Sequence, residues 1–397
     1  MKFSRAIRHF LASAFLGAAG LAQAADVSIA VLRVDYPIFA PNSRLETWRP
    51  DLVFAGAQLA TDDNVTTGQF LGHSFETEMV SAKPGELLAA LEEIRQSDIK
   101  LLVVSAQADE LLAVADAAPD LLIVNAGSSD TRLRQSDCRA NVLHVTPSDA
   151  MRTDAIAQFA SYKRWNRWLL VHGSNPKDLT LAQEYRRAAM KFGMKIVDER
   201  EILDTGGSRR AETGYVQVQR QLPVLMQNTP THDLVVAADA SDVFAPYLPF
   251  NLWDPRPTMG SAGLRPVSFN AAAEFWAGTQ FQSRFEKLAG RYVTEADYDT
   301  WVALRAIGEA VVKTDSVEHM VLRDFMLSNA FKLGAFKGQP LSFRNWNGQL
   351  RQPIMLWDGR INVSVSPQEG FLHQRSPLDS LGMDQPESKC TAFRGKE

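Results

Sequence analysis

The chain has 397 residues, with 42 Lys and Arg against 46 Asp and Glu, and a formal net charge of −4 at pH 7. The basic residues are dispersed and form no stripe interleaved with aromatics, which argues against nucleic-acid binding. The sequence has no G-x-S-x-G elbow, P-loop, H-E-x-x-H motif or dinucleotide glycine triplet after its first strand, so it favours a protein that is not an enzyme. The length fits two domains of ordinary size, each with its own core.

Residues 1–24 have the pattern of a secretory signal peptide. Three of the first eight residues are basic, an apolar run covers 10–21, and Ala22-Gln23-Ala24 matches the small-x-small rule for cleavage before Ala25. The apolar run is too short to span a bilayer. We therefore expect the protein to be exported to the periplasm.

Strands and helices alternate from residue 26 to residue 125. The strand segments are dense in Val, Ile and Leu, which is typical of parallel strands covered on both faces. This alternation predicts right-handed crossovers and a doubly wound parallel sheet. The predicted strands are 26–34, 73–80, 100–104 and 120–125, and the helices between them begin near Pro50, Pro84 and Asp109.

The stretch 141–173 is interpreted as the passage into a second lobe of the same design. A short strand at 141–145 is stopped by Pro147, which has no backbone N–H to donate. Ser148 or Asp149 can then cap a helix, and a new buried strand follows at 168–171. The polar turn after that strand, 172–176, is the kind of loop with which open α/β folds bind ligands.

The remaining elements continue the pattern and then return to the first lobe. A helix at 179–192 ends at Gly193, a residue favoured after helix ends, and the crossing back is expected at 265–276. A single hairpin is predicted over 338–365, with turns at Asn347-Gly348 and Asp358-Gly359. The predicted organisation is lobe 1 from 25–146 with about 266–335, lobe 2 from 147–265 with part of about 336–365, and a C-terminal tail at 366–397.

The chain has two cysteines, Cys138 and Cys390. In an exported protein a single disulfide is the leading interpretation, and it would pin the tail to the end of the first lobe. No His adjoins either cysteine, so a metal site is not expected.

Four segments carry a family resemblance: "KLLVV", "VTPSDAMRTDAIAQFA", "YDTWVALRAIGEAV" and "GQPLSFRNWNGQLRQPIMLW". Their layout resembles the type I periplasmic solute-binding proteins of ABC transporters, over nearly the whole chain after residue 24. Within that group the sequence is most similar to the branch associated with alcohol oxidation dependent on pyrroloquinoline quinone (PQQ). The resemblance implies two doubly wound lobes joined by several crossings, with no catalytic cofactor.

Such a fold would bind its ligand in the cleft between the lobes, on loops that follow the strands. Ser128 and Ser129 could hold a carboxylate, or they could cap a helix. Lys177 lies near a helix start, where an anionic ligand would relieve its repulsion by the dipole, although a solvated lysine is the ordinary explanation. The other polar candidates on these loops are Ser105, Gln107, His172 and Ser174.

A flat anionic ligand would need aromatic rings and guanidinium groups. The aromatic candidates lie in loops and crossings, and the arginines could bind carboxylates, although each could equally be a surface residue. These candidates are Tyr36, Trp48, Trp253 and Trp276, with Arg49, Arg132 and Arg265.

The resemblance favours PQQ, a planar tricarboxylate, as the bound ligand, passed to a membrane ABC permease by a monomeric binding protein. The alternative ligand is a branched-chain or other amino acid. Asp239, which follows a second-lobe strand, could then meet the ammonium group, or it could simply cap the next helix. A periplasmic sensor domain that docks on a receptor is the alternative of another class.

Overall fold

The computed structural model describes residues 25–37, 49–204 and 212–393. The predicted signal segment and Trp48 lie outside these residues. Within them, no helix is long and apolar enough to cross a membrane.

The first lobe is built on a five-stranded parallel sheet in the order β2-β1-β3-β4-β5. Side chains of β1 alternate between two buried clusters, so both faces of the sheet are covered. The strands are β1 (Asp26–Val34), β2 (Ser74–Ala82), β3 (Leu101–Ser105), β4 (Leu122–Asn125) and β5 (Val142–His144). The helices are α1 (Phe54–Gly68), α2 (Leu87–Gln96) and α3 (Ala108–Ala117), with α7 (Gly278–Ala289), α8 (Glu295–Thr314) and α9 (His319–Leu327) from the later part of the chain.

The second lobe has a four-stranded parallel sheet in the order β7-β6-β8-β9, again with a buried cluster on each face. The predicted fold class, two parallel-sheet α/β lobes, is therefore confirmed. The strands are β6 (Arg167–Gly173), β7 (Lys195–Ile202), β8 (Leu234–Ala238) and β9 (Thr258–Gly260), and the helices are α4 (Asp149–Tyr162), α5 (Pro176–Lys191) and α6 (Glu212–Leu225).

A third sheet of three antiparallel strands joins the lobes: β10 (Arg265–Val267), β13 (Ile354–Trp357) and β14 (Asn362–Ser366). Along β13, Ile354 and Leu356 point into the second-lobe core while Met355 points into the first-lobe core. The alternation of a strand therefore places one side of this sheet against each lobe.

The prediction of a single hairpin over 338–365 is wrong, although both turns are correct. Strands β11 (Ser342–Phe343) and β12 (Leu350–Arg351) form one hairpin, and β13 with β14 forms another. Between them, the Gln352 amide donates to the Val145 carbonyl at 2.6 Å and the Pro353 carbonyl accepts from Lys337. Residues 352 and 353 thus form a third crossing between the lobes, and they do not continue the strand pairing of either hairpin.

The predicted disulfide between Cys138 and Cys390 is present, with the two Cα atoms 5.7 Å apart.

Candidate functional site

The carboxyl edges of the two parallel sheets face each other where α4 begins. Ser148 caps α4 by accepting a hydrogen bond from the Met151 amide. The Asp149 amide donates to the Ser129 carbonyl at 2.7 Å, and the Ala150 amide donates to the Thr131 hydroxyl at 3.1 Å. Because Ser129 and Thr131 follow β4, these contacts join the start of α4, the first helix of the second lobe, to a loop of the first lobe.

Three charged residues near the start of α4 were missed by the sequence analysis. Arg152 on α4 and Glu295 on α8 form an ion pair of 2.7 Å between the lobes, and both side chains are half-buried. Arg152 also donates to the Pro266 carbonyl at 2.9 Å, and Glu295 accepts from the Ser268 amide at 2.5 Å. Asp149 lies beside them, and burial raises the pKa of its carboxyl to about 6. The segment Ser148-Asp149 had been interpreted only as a helix cap, which concealed the second role.

A buried polar cluster lies directly behind Glu295, at the three crossings. Burial, followed by the charge of Glu295, raises the pKa of Asp299 to about 7. Burial lowers the pKa of Lys337 to about 7, although its ammonium donates to the carbonyls of Ser268 and Pro353. Among the described residues, Thr146 Oγ1, Ser268 Oγ and one Asp299 oxygen, all buried, have no hydrogen bond of good geometry. Lys337 and Asp299 thus face the crossings from the first lobe.

The predicted first-lobe residues are largely occupied by contacts within their own lobe. Gln107 caps α3 in a reciprocal box with Glu110, and the Tyr36 hydroxyl joins this box. Burial and Glu110 raise the pKa of Tyr36 above its usual value. The Asn125 side chain accepts from the amides of Gly127 and Ser128, so these N–H groups are already used. Ser105 and Ser129 remain half-exposed on the cleft loops.

Two of the three predicted arginines have partners within the chain. The Arg132 guanidinium contacts the carboxylates of Asp109, Asp130 and Asp137. Arg265 lies 4.4 Å above the Trp357 ring, where burial lowers its pKa. Arg49 is exposed.

In the second lobe, the loops at the sheet edge are held by two buried acids. The Asp178 carboxylate accepts from the amides of Asn175 and Ser241, and thereby joins the loops after β6 and β8. A Cβ atom on Gly173 would lie only 2.2 Å from this carboxylate, so the position requires glycine. His172 is buried and paired with Glu199 at 3.1 Å, Ser174 accepts from the Asp204 amide, and Lys177 is exposed.

Asp239 accepts hydrogen bonds from the backbone that follows it. The sequence analysis gave such a capping role as the alternative to ammonium binding. Its carboxylate is 3% exposed and accepts from the amides of Val243, Phe244 and Ala245. Burial raises the pKa of Asp239, and these three donors partly oppose the shift. The prediction that Asp239 contacts a ligand is not tested by this arrangement, but all its hydrogen bonds here serve the loop.

Replacing Asp239 with asparagine is expected to lower the free energy of unfolding by about 2–3 kcal/mol, because an amide cannot accept from all three donors. Urea denaturation of the purified protein measures this. In the same loop, Asp254 pairs with Arg256 at the surface, so Asp254→Asn is the matched control and should change stability by at most about 0.5 kcal/mol. Equal effects of the two substitutions would contradict the structural role of Asp239.

Two of the described aromatic candidates, Trp253 and Trp276, are exposed. Trp253 is 68% exposed in the loop between β8 and β9. Trp276 is 46% exposed and packs against Gly338, where a Cβ atom would lie 2.4 Å from the indole. Both indoles are accessible enough to report on nearby changes by fluorescence.

Comparison with solved structures identifies the fold. A periplasmic binding protein from Burkholderia mallei has a TM-score of 0.66 at 12% identity, covering 93% of this chain and 99% of that one. An ABC transporter substrate-binding protein from Desulfitobacterium hafniense in complex with Leu has a TM-score of 0.64 at 15% identity, covering 85% and 99%. An ABC transporter solute-binding protein from R. palustris in complex with benzoate has a TM-score of 0.63 at 10% identity, covering 92% and 99%.

No family model matches the chain, and no curated protein sequence matches it. The structural likeness alone shows the type I periplasmic binding protein fold. Of the three named neighbours, one is a periplasmic binding protein and two are substrate- or solute-binding proteins of ABC transporters.

Proposed function

We propose that the protein is a periplasmic solute-binding protein that closes its two lobes on a small molecule and delivers it to an ABC permease. The observation that carries this proposal is the two-lobed architecture. Two parallel-sheet lobes are joined by several crossings, and the Arg152–Glu295 pair spans the lobes beside the start of α4. The proposal also includes export, directed by a signal peptide at residues 1–24. The protein would act as a monomer and would contact the permease transiently.

The charges near the crossings favour an amino acid, or a similar small zwitterion, over PQQ. Asp149 is a half-buried carboxylate that can meet an ammonium group, and Arg152 can meet a carboxylate by exchanging its ion pair with Glu295 for the ligand. A tricarboxylate would need several cations released in this way. Arg132, Arg134 and Arg265 also have partners in the chain, and Arg134 is buried against Gln349 and three carbonyls.

Titration with leucine, glutamate, benzoate and PQQ, followed by tryptophan fluorescence, tests the proposal. We expect saturable binding of an amino acid, and a loss of affinity of about tenfold or more in Arg152→Gln, since a charged hydrogen bond contributes roughly 1.5–3 kcal/mol. Arg167→Gln is the matched control, because Arg167 pairs with Asp233 at the amino ends of β6 and β8, away from the carboxyl edge of the sheet.

Saturation by PQQ alone, with Arg152→Gln unaffected, would overturn the amino-acid assignment while preserving the binding function. Chemical conversion of any of these compounds would overturn the binding function itself.

A further inference from the structure

The C-terminal segment 376–393 is fastened to both lobes, and we refer to it as the strap. It follows β14 and a connecting stretch, and it contains only two short 3₁₀ turns. Its path adds a connection between the lobes to the three crossings already described.

The strap is anchored to the second lobe at Leu381 and Gly382. Leu381 is fully buried in the second-lobe core. The Gly382 amide donates to Asp154 on α4 at 2.8 Å, and the Gly382 carbonyl accepts from Lys191 on α5 at 2.7 Å. Gly382 has a φ of +78°, and a Cβ atom there would lie 2.8 Å from Met151. This close approach is therefore possible only for glycine.

The other end of the strap is anchored to the first lobe. Cys390 is bonded to Cys138, which lies between β4 and β5. The Lys389 amide donates to the Gln135 side chain at 2.7 Å. Phe393 packs against the first-lobe core and lies 5.4 Å from the Arg323 guanidinium.

The strap also contacts the chain beside the 352–353 crossing, through Asp379. This carboxylate is 1% exposed and pairs with Arg344 at 2.9 Å and Arg351 at 2.8 Å, both from the β11–β12 hairpin. Arg344 additionally donates to the carbonyls of Leu378 and Leu381. Beyond this point only residues 383–389 separate the second-lobe anchor from the disulfide, and 385–387 are exposed.

We propose that residues 376–393 form a covalent strap that restricts the movement of the two lobes relative to each other. A short tether with both ends fixed removes those lobe arrangements that would separate its anchors further than the chain can reach. Movement of the lobes belongs to the proposed binding function, so the strap would set the range over which the cleft opens and closes. A disulfide that merely stabilised the folded chain would leave that range unchanged.

Spin labels on Lys83→Cys in the first lobe and Thr180→Cys in the second allow the interlobe distance to be measured without any ligand. Both positions are exposed, and the native cysteines are bonded to each other, so labelling is selective. Pulsed electron paramagnetic resonance then gives the distance distribution. In a Cys138→Ser, Cys390→Ser background we expect this distribution to broaden about twofold.

A second variant distinguishes a strap that limits the movement of the lobes from a disulfide that only stabilises the fold locally. Inserting eight Gly and Ser residues between Glu387 and Ser388, both in the 383–389 segment, lengthens the tether and retains the disulfide and both anchors. The proposal requires the same broadening in this variant. Broadening in the cysteine variant alone, or in neither variant, overturns it.

The insertion variant also decides the matter if the cysteine variant does not fold. Circular dichroism melting verifies that each labelled protein is folded. The result is independent of the ligand titration, because failure of every ligand to bind would count against the proposed function and leave the distance distributions unaffected.

Discussion

Asp297→Ala is expected to lower the free energy of unfolding by about 3–5 kcal/mol, the usual effect of removing one partner of a buried ion pair. Asp297 is fully buried, pairs with Arg291 through both carboxylate oxygens, and caps α8 together with Thr294. It also accepts from the amide of Val53 at 3.0 Å. Urea denaturation at pH 7 measures the loss.

The Val53 contact makes the expected effect larger than that of an ordinary cap. Val53 has a φ of 75°, an unfavourable conformation for a β-branched residue, and it immediately precedes α1. Without Asp297, its buried N–H would lose its acceptor and the strained entry into α1 would lose its support. Helix α1 packs so closely on α8 that a Cβ atom, if Gly56 had one, would lie 2.0 Å from the Asp297 carbonyl oxygen. The disturbance would therefore reach the first-lobe core.

Asp299 is the matched control because it lies on the same helix and is equally buried. Burial raises its pKa to about 7, so between about pH 4 and pH 7 the folded chain keeps a proton that the unfolded chain releases, and stability falls as pH rises. Asp299→Asn should therefore remove this penalty, and at pH 7 the variant should be at least as stable as the wild type. A loss as large as that of Asp297→Ala would contradict the distinction between the two carboxylates.

Lys337→Met is expected to remove a large pH dependence of stability. Burial lowers the pKa of Lys337 from 10.5 to about 7, so the folded chain binds fewer protons than the unfolded chain between these values. The destabilisation is complete below pH 7 and declines as pH rises towards 10.5. Relative to Lys337→Met, the wild type should gain on the order of 4 kcal/mol between pH 7 and pH 10, from roughly three pKa units at about 1.4 kcal/mol each.

Unfolding curves at pH 7, 8, 9 and 10 for both proteins measure this difference, and titrations of other groups cancel in the comparison. Lys313→Met is a suitable control, since Lys313 is exposed on the same lobe. If the difference between wild type and Lys337→Met does not vary with pH, Lys337 is not held in the low-pKa state described above.

The order of strands and helices was largely predictable because it depends on local patterns. The strand at Asp26–Val34 was predicted with its observed bounds, and Gly193 follows α5 with a φ of +71° as its position suggested. The helix predicted at 179–192 instead spans Pro176–Lys191, because Asn175 and Asp178 form a capping box that begins the helix at Pro176. The single hairpin was wrong because Gln352 and Pro353 are bonded to residues of other crossings.

Only the tertiary structure decided which polar side chains face the cleft. Some polar side chains find all their hydrogen-bond partners within their own lobe, as Arg132, Asp178 and Asp239 do. Arg152 and Glu295 are distant in the chain and form an ion pair between the lobes. The sequence by itself determined the two α/β lobes, because apolar periodicity is a local property of each segment. It also determined the pairing of Cys138 with Cys390, because the chain has no other cysteine. The role of a polar residue depends on partners brought to it by folding, and burial makes those partners obligatory.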